Sequence, residues 1–183
     1  VRDCIVNWSV GMATGSVLPD NDYGCVRNVT FQDIVLYHPF KAIYIKTNSG
    51  TTHSMLPGSG GEITNIVYDN IEIHWPIWWG IYIGPQQQKQ PGGDGDGCMF
   101  YPIGGCMTQP LITMSNVTVS NVRQYNSILP PGIIRCNETN PCTGFIWNNV
   151  QASGIWEKLE FGFMTEHIHG TVTDSSPAPP FNG

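Results

Sequence analysis

The chain carries little charge. Only 12% of its 183 residues are Asp, Glu, Lys or Arg, where an ordinary soluble domain has about 25%, and so few charges cannot coat the outer faces of several surface helices. Basic residues are the scarcer sign. Lys+Arg 8 against Asp+Glu 14 gives a net charge of -6, which excludes a basic footprint for nucleic acid or an anionic membrane. The longest apolar run, IHWPIWWGIYIG from Ile73, is too short to cross a bilayer and is broken by Pro76. We therefore expect no nucleic-acid and no membrane partner. C-x-x-C and similar ligand spacings are absent, so no metal and no cofactor is expected.

Glycine (21) and proline (14) are abundant, as in a chain of strands and turns. The stretch CVRNVTFQDIVLYHPFKAIYIKTNSG from Cys25 to Gly50 reads as one structural unit. Val26, Val29, Phe31, Ile34 and Leu36 are interleaved with polar residues, as in a strand with one buried face. His38-Pro39 marks a turn, Ala42 to Lys46 a second strand, and Asn48-Ser49-Gly50 a closing turn. Copies follow. NVTFQDI from Asn28 aligns with NIVYDNI from Asn65, NVTVSNV from Asn116 and, more weakly, GFIWNNV from Gly144. The opening VRDCIV fits when Asp3 is laid on Asp33, and VGMATGS, KAIYIKT and WGIYIGP align as second strands. Recurrence at roughly 25 to 50 residues is the mark of a solenoid. The alignment predicts a polar ladder of Asp33, Asn70, Asn121 and Asn149 at one corner. It also predicts a single domain over 1–174, a last strand within Phe161–Val172, and a disordered or linker-like Pro-rich tail over 175–183.

Four N-glycosylation acceptors, at Asn7, Asn28, Asn116 and Asn137, accompany six cysteines, a combination that points to the secretory route and an extracellular location. Proximity pairs Cys98 with Cys106 and Cys136 with Cys142, and the remaining Cys4 and Cys25, in neighbouring coils, are expected to pair with each other. No signal-peptide pattern is visible and residue 1 is Val, so the chain reads as a processed product or a fragment.

Several residues invite a chemical reading. Asp20 and Asp22 sit on a loop, where two acids most often form turns, and His53 lies on a Gly/Ser/Thr loop downstream of Lys46. Trp75, Trp78, Trp79 and Tyr82 form an aromatic cluster that either stacks on sugar rings or packs beneath the long loop after it. The DGDG at Asp94 in that loop lacks the further ligands of a calcium site.

The Cys4-to-Ser16 segment, the NVTFQDI and KAIYIKTN strands and GEITNIVYDNIEI resemble the C-terminal half of the polygalacturonase-type glycoside hydrolases, family twenty-eight. The resemblance implies an all-β, right-handed parallel β-helix of the pectin-lyase-like kind, open here at its N-terminal end. It also implies inverting cleavage of polygalacturonan by paired acids, a His in a Gly-His-Gly-Ile-Ser-Ile-Gly-Ser strand, and an Arg-Ile-Lys strand for the sugar carboxylate. In this sequence Gly11, Gly15 and Ser16 match, Val10 stands at the His position, and Tyr44-Ile45-Lys46 keeps Lys46 but not the Arg. The acid-bearing strands would precede Val1. The expectation is a non-catalytic, polysaccharide-associated or wall- or filament-building protein, with Lys46, Tyr44, Trp78, Trp79 and Tyr82 as sugar contacts. Its N-terminal face would be covered by upstream coils or by end-on self-association. The alternatives are the C-terminal part of a working hydrolase and a solenoid adhesin that binds protein.

Overall fold

The structure is a computed structural model that describes residues 1–19, 23–48, 58–87, 98, 101–155 and 162–182. Asp20, Asp22, His53 and Asp94 lie outside the described residues.

Strands alternate long and short along the chain. They are β1 (Arg2–Asn7), β2 (Met12–Val17), β3 (Gly24–Tyr37), β4 (Ile43–Thr47), β5 (Gly61–His74), β6 (Ile81–Gln86), β7 (Ile112–Ser127), β8 (Gly132–Arg135), β9 (Cys142–Gly154), β10 (Met164–Glu166) and β11 (Ile168–Thr173). The long strands and β11 form a six-stranded sheet in the order β1-β3-β5-β7-β9-β11, and the short ones a five-stranded sheet in the order β10-β8-β6-β4-β2. Every pairing is parallel, coil on coil. This is the right-handed parallel β-helix that the family resemblance implied. Among the described residues, the outermost strands β1 and β2 have no neighbour on their outer side.

The aligned repeats predict the register. Val29 pairs Ile66 and Ile66 pairs Val117, while Arg2 and Cys4 pair Gln32 and Ile34, so Asp3 falls beside Asp33. The spacing Val26, Val29, Phe31, Ile34, Leu36 is uneven for one flat strand, and the backbone explains it. Asn28 and Asp33 adopt φ of 58° and 56°, as do their equivalents Asn65, Asn70, Asn116, Asn121 and Asn149, with Gly144 in the same region. Each left-handed residue turns a corner and shifts the inside-outside alternation by one. Asn and Asp tolerate that region better than other residues with a Cβ. Their side chains then join coil to coil. Asn70 Nδ2 donates to Asp33 Oδ1 at 2.7 Å, Asn121 Nδ2 to Asp69 Oδ1 at 2.8 Å, and Asn149 Nδ2 to Asn121 Oδ1 at 2.8 Å. A second ladder runs through Asn28, Asn65 and Asn116.

The core lies between the two sheets. Ile63, Ile66, Ile71 and Ile73 of β5 are fully buried against Ile43, Ile45, Ile81 and Ile83 from the short strands. Each contributes roughly 1.5–3 kcal/mol by leaving water. Tyr68 OH carries polar links across this core, to Thr14 Oγ1 at 3.2 Å and to the Met12 carbonyl at 3.4 Å.

Two expectations are corrected. Cys98–Cys106 and Cys136–Cys142 form, but Cys4 and Cys25 remain free thiols. Cys4 pairs in register with Ile34, beyond both corners of β3 from Cys25. The five steps from one corner to the other, Asn28 to Asp33, alone span about 16 Å, against the roughly 7 Å Cα separation a disulfide tolerates. The tail is also ordered. Ser176 exchanges backbone hydrogen bonds with Val150 and Ala152, and Asn182 does so with Ile168 and Gly170. Phe181 is drawn onto Phe145 and Trp147, so apolar burial outweighs the polyproline character of the segment.

Candidate functional site

The outward face of the five-stranded sheet is where the solenoid presents chemistry. Alternation along β4 sends Ile43 and Ile45 inward, Tyr44 and Lys46 outward. Register then aligns an outward row across the coils, Ala13, Tyr44, Tyr82, Ile133 and Met164, and pairs Arg135 with Glu166 beside it, while the β4–β6 register shifts between Ile45 and Thr47.

Half of this face is closed. Tyr44, Trp79 and Tyr82 are 2%, 3% and 0% exposed and form a second apolar cluster with Cys98 and Ile133, flanked by Trp78, Tyr101 and Cys106. Trp79 Nε1 donates to the Cys98 carbonyl at 3.3 Å, and Tyr82 OH donates to the Gln86 carbonyl at 2.6 Å. The sugar-stacking expectation for Tyr44, Trp79 and Tyr82 therefore fails. An outward sheet face this apolar is covered by the chain's own disulfide-bonded segment, because leaving three large rings in water would cost more than ordering it. Trp78 is half-buried against Phe40 at 6.2 Å, and Trp75 is 47% exposed. Further along, Arg135 is ion-paired to Glu166 and lies over the Tyr101 ring at 4.5 Å.

The other half, over β2 and β4, is open. Ala13 and Gly15 are exposed, and Ser16 and Lys46 are half-buried. Ser16 Oγ donates to Gln87 Oε1 at 3.0 Å, Asn48 Nδ2 donates to Ser16 Oγ at 3.2 Å, and Gln109 Nε2 donates to the Asn48 carbonyl at 2.9 Å. This polar edge lies beside Lys46. The two matched glycines have a packing cause. Gly11 (φ 105°) and Gly15 (φ 96°) lie where a Cβ would fall 1.5 Å from the Lys41 carbonyl oxygen and 2.2 Å from that of Lys46. They let β2 settle onto both ends of the neighbouring coil's strand. Val10, at the resemblance's His position, is exposed at the entrance to β2.

Lys41 is the residue that sequence reading passed over. It is 1% exposed, with Nζ 4.5 Å from the Phe40 ring centre, 4.6 Å from Tyr44 and 5.0 Å from Tyr82. Burial, and secondarily the charge of Lys46, push its ammonium down to about 7. Lys46 Nζ lies 4.8 Å from the same Tyr44 ring and is also lowered by burial. Burial raises Tyr44 to about 12. Aligning KAIYIKT on WGIYIGP places Lys41 level with Trp79, and a lysine at the position of an aromatic residue was the available signal.

A second missed feature is an aromatic ladder at the ends of the long strands. Tyr37 stacks on His74 at 4.8 Å, His74 on Tyr125 at 4.9 Å, and Trp8 on His38 at 4.6 Å. The pairs Asn7-Trp8, Tyr37-His38, His74-Trp75 and Tyr125-Asn126 recur at this corner, their second members all at positive φ. Asn7, Asn28 and Asn116 are exposed on the long sheet, and Asn137 is half-buried inside the Cys136–Cys142 loop. Among the described residues the five short strands carry a single carboxylate, Glu166, which Arg135 already neutralises.

The profile of the glycosyl hydrolases family 28 matches residues 4–164. Among curated relatives, the "Probable endopolygalacturonase D" of Neosartorya fischeri is 29% identical over 144 residues, 79% of this chain and 26% of that protein. The "Rhamnogalacturonase A" of Aspergillus aculeatus is 23% identical over 159 residues, 85% of this chain and 29% of that protein. The chain thus spans about a quarter of the length of the relatives it matches. No solved structure matches it significantly.

Proposed function

This chain belongs to glycosyl hydrolases family 28, and from that premise we propose that its open face over β2 and β4 binds an acidic, pectin-type polysaccharide without hydrolysing it. The observation that carries the reading is Lys46, the resemblance's carboxylate-binding position, standing outward beside the hydrogen-bonding edge of Ser16, Asn48 and Gln87. Inverting hydrolysis requires an acid and a base some 6.5–9.5 Å apart across the scissile bond. The short strands' only described carboxylate, Glu166, is engaged by Arg135. In this reading the protein is extracellular, consistent with two disulfides, and glycosylated at Asn7, Asn28, Asn116 and Asn137.

A second reading makes these coils one wall of a hydrolase groove whose acids stand on coils stacked against β1 and β2. Its support is the exposure of Ile5, Trp8 and Val10 along that open edge and the greater length of the relatives.

The test is calorimetric titration of the purified chain with oligogalacturonate, paired with a reducing-end assay. Binding weakened about tenfold by Lys46→Met, with no new reducing ends, is the expected result. Turnover by these residues alone would overturn the non-hydrolytic reading, and absence of binding would overturn both. Endoglycosidase treatment that leaves the mobility of the secreted protein unchanged would remove the glycosylation assignment.

A further inference from the structure

We propose that Asn7 is the acceptor whose glycan the protein itself holds: the first N-acetylglucosamine on its Nδ2 stacks on the open face of Tyr37 and continues the aromatic ladder of the long sheet by one rung. The inference rests on the reading of Asn7 as glycosylated.

The row is set by register. Asn7 pairs Tyr37, Tyr37 pairs His74 and His74 pairs Tyr125, and residues paired across parallel strands stand on the same face of the sheet. The three rings lie 4.8 and 4.9 Å apart, with interplanar angles of 17° and 22°, so they repeat at the spacing of the strands that carry them. His74 thus covers one face of Tyr37, and the opposite face is turned toward Asn7. Among the described residues no other ring stacks on Tyr37, which is 37% exposed. Trp8 leaves that face open, because its φ of 53° turns the chain at the corner and its ring goes to His38 in the neighbouring row.

Asn7 itself is too short to fill the next rung. Its amide ends about where an aromatic ring would begin, so a sugar on Nδ2 carries a pyranose to the height of the Tyr37 ring, one strand spacing away. β-Linked N-acetylglucosamine suits that place. Its hydroxyls are equatorial and both of its faces carry axial C–H groups, which the negative face of an aromatic ring attracts. The hydroxyls and the N-acetyl group stay at the rim, in water. The other acceptors have no ring beside them in this way. Asn28 and Asn116 lie on either side of Asn65 in an amide ladder, and Asn137 donates to Thr108 from inside the Cys136–Cys142 loop. Their glycans serve as internal controls.

The experiment secretes the protein from a host that adds high-mannose glycans, maps occupancy of each acceptor by glycopeptide mass spectrometry, and trims the glycans enzymatically to a single isotope-labelled N-acetylglucosamine. Carbon–proton NMR then reads the ring current on each sugar, with Asn→Gln variants assigning the signals. Expected are C–H signals of the Asn7 sugar upfield of those at the other occupied acceptors, and loss of that displacement in Tyr37→Leu. Asn7→Gln should lower the thermal midpoint by about 2–4 °C in the wild-type background and by less than half as much in Tyr37→Leu. An occupied Asn7 whose sugar signals coincide with those of the other acceptors overturns the inference and leaves its glycosylation standing, even if Tyr37→Leu fails to fold. Equal midpoint losses in the two backgrounds overturn it as well, since the glycan would then stabilise without the ring. An unoccupied Asn7 removes the inference together with that acceptor's assignment. The polysaccharide reading of the open face stands or falls separately, by its own titration with oligogalacturonate.

Discussion

Gly11 lies against Lys41 so closely that a Cβ would fall 1.5 Å from the lysine's carbonyl oxygen. Backbone, not a flexible side chain, stands in the way, and Gly11 also holds a φ of 105° that L-residues rarely adopt. Gly11→Ala is expected to destabilise the protein by about 2 kcal/mol or more, read as a lower urea midpoint. An unchanged midpoint would show that β2 does not seat on the second coil as described.

Lys41 makes stability depend on pH in an unusual direction. Its folded-state value is lowered to about 7 from 10.5, so the unfolded chain binds the extra proton between those limits and stability rises with pH across that window. Below about 7 the full penalty of a buried charge is present. Relative to Lys41→Met, the wild type should gain stability between pH 7 and 9, by at most about 1.4 kcal/mol per pH unit. Thermal melts across that range provide the check.

The corner ladder predicts a graded effect at Asn70. Asn70→Ala removes the 2.7 Å bond to Asp33 and places a Cβ residue without a helper amide at a φ of 53°, together costing about 2 kcal/mol. Asn70→Gly removes the bond alone and should lose about half as much. Equal losses for the two variants in chemical denaturation would mean that the φ value contributes nothing.

Thiol counting separates the cysteines. Alkylation of the unreduced protein, followed by mass spectrometry, should label Cys25 readily and half-buried Cys4 more slowly, and should leave Cys98, Cys106, Cys136 and Cys142 unlabelled. Protection of Cys25 in the native chain would contradict the register of β1 on β3.

The sequence made the solenoid and its register legible, because a repeat states its own alignment. Laying VGMATGS, KAIYIKT and WGIYIGP on one another puts Ala13, Tyr44 and Tyr82 in the row where the structure has them. The corners were half visible. Their Asn and Asp residues stood out as a ladder, but not as the bends that shift the alternation between Val26 and Val29 or between Phe31 and Ile34. The candidate site was less legible, since outward and exposed are different properties. Tyr44, Trp79 and Tyr82 point outward from their sheet and are buried by a segment whose placement no local pattern encodes. Cys4 and Cys25 failed for a related reason: membership of neighbouring coils says nothing about position along a strand with two corners.

The tail gives the solenoid a direction. At the last coil Asn182 occupies the backbone groups of Ile168 and Gly170, and Phe181 covers the Trp147 end of the core, so a second molecule approaching there meets a stopper. Docking of another edge strand onto β11 would require the tail to be displaced first, which makes truncation after Thr173 the change that uncovers that edge.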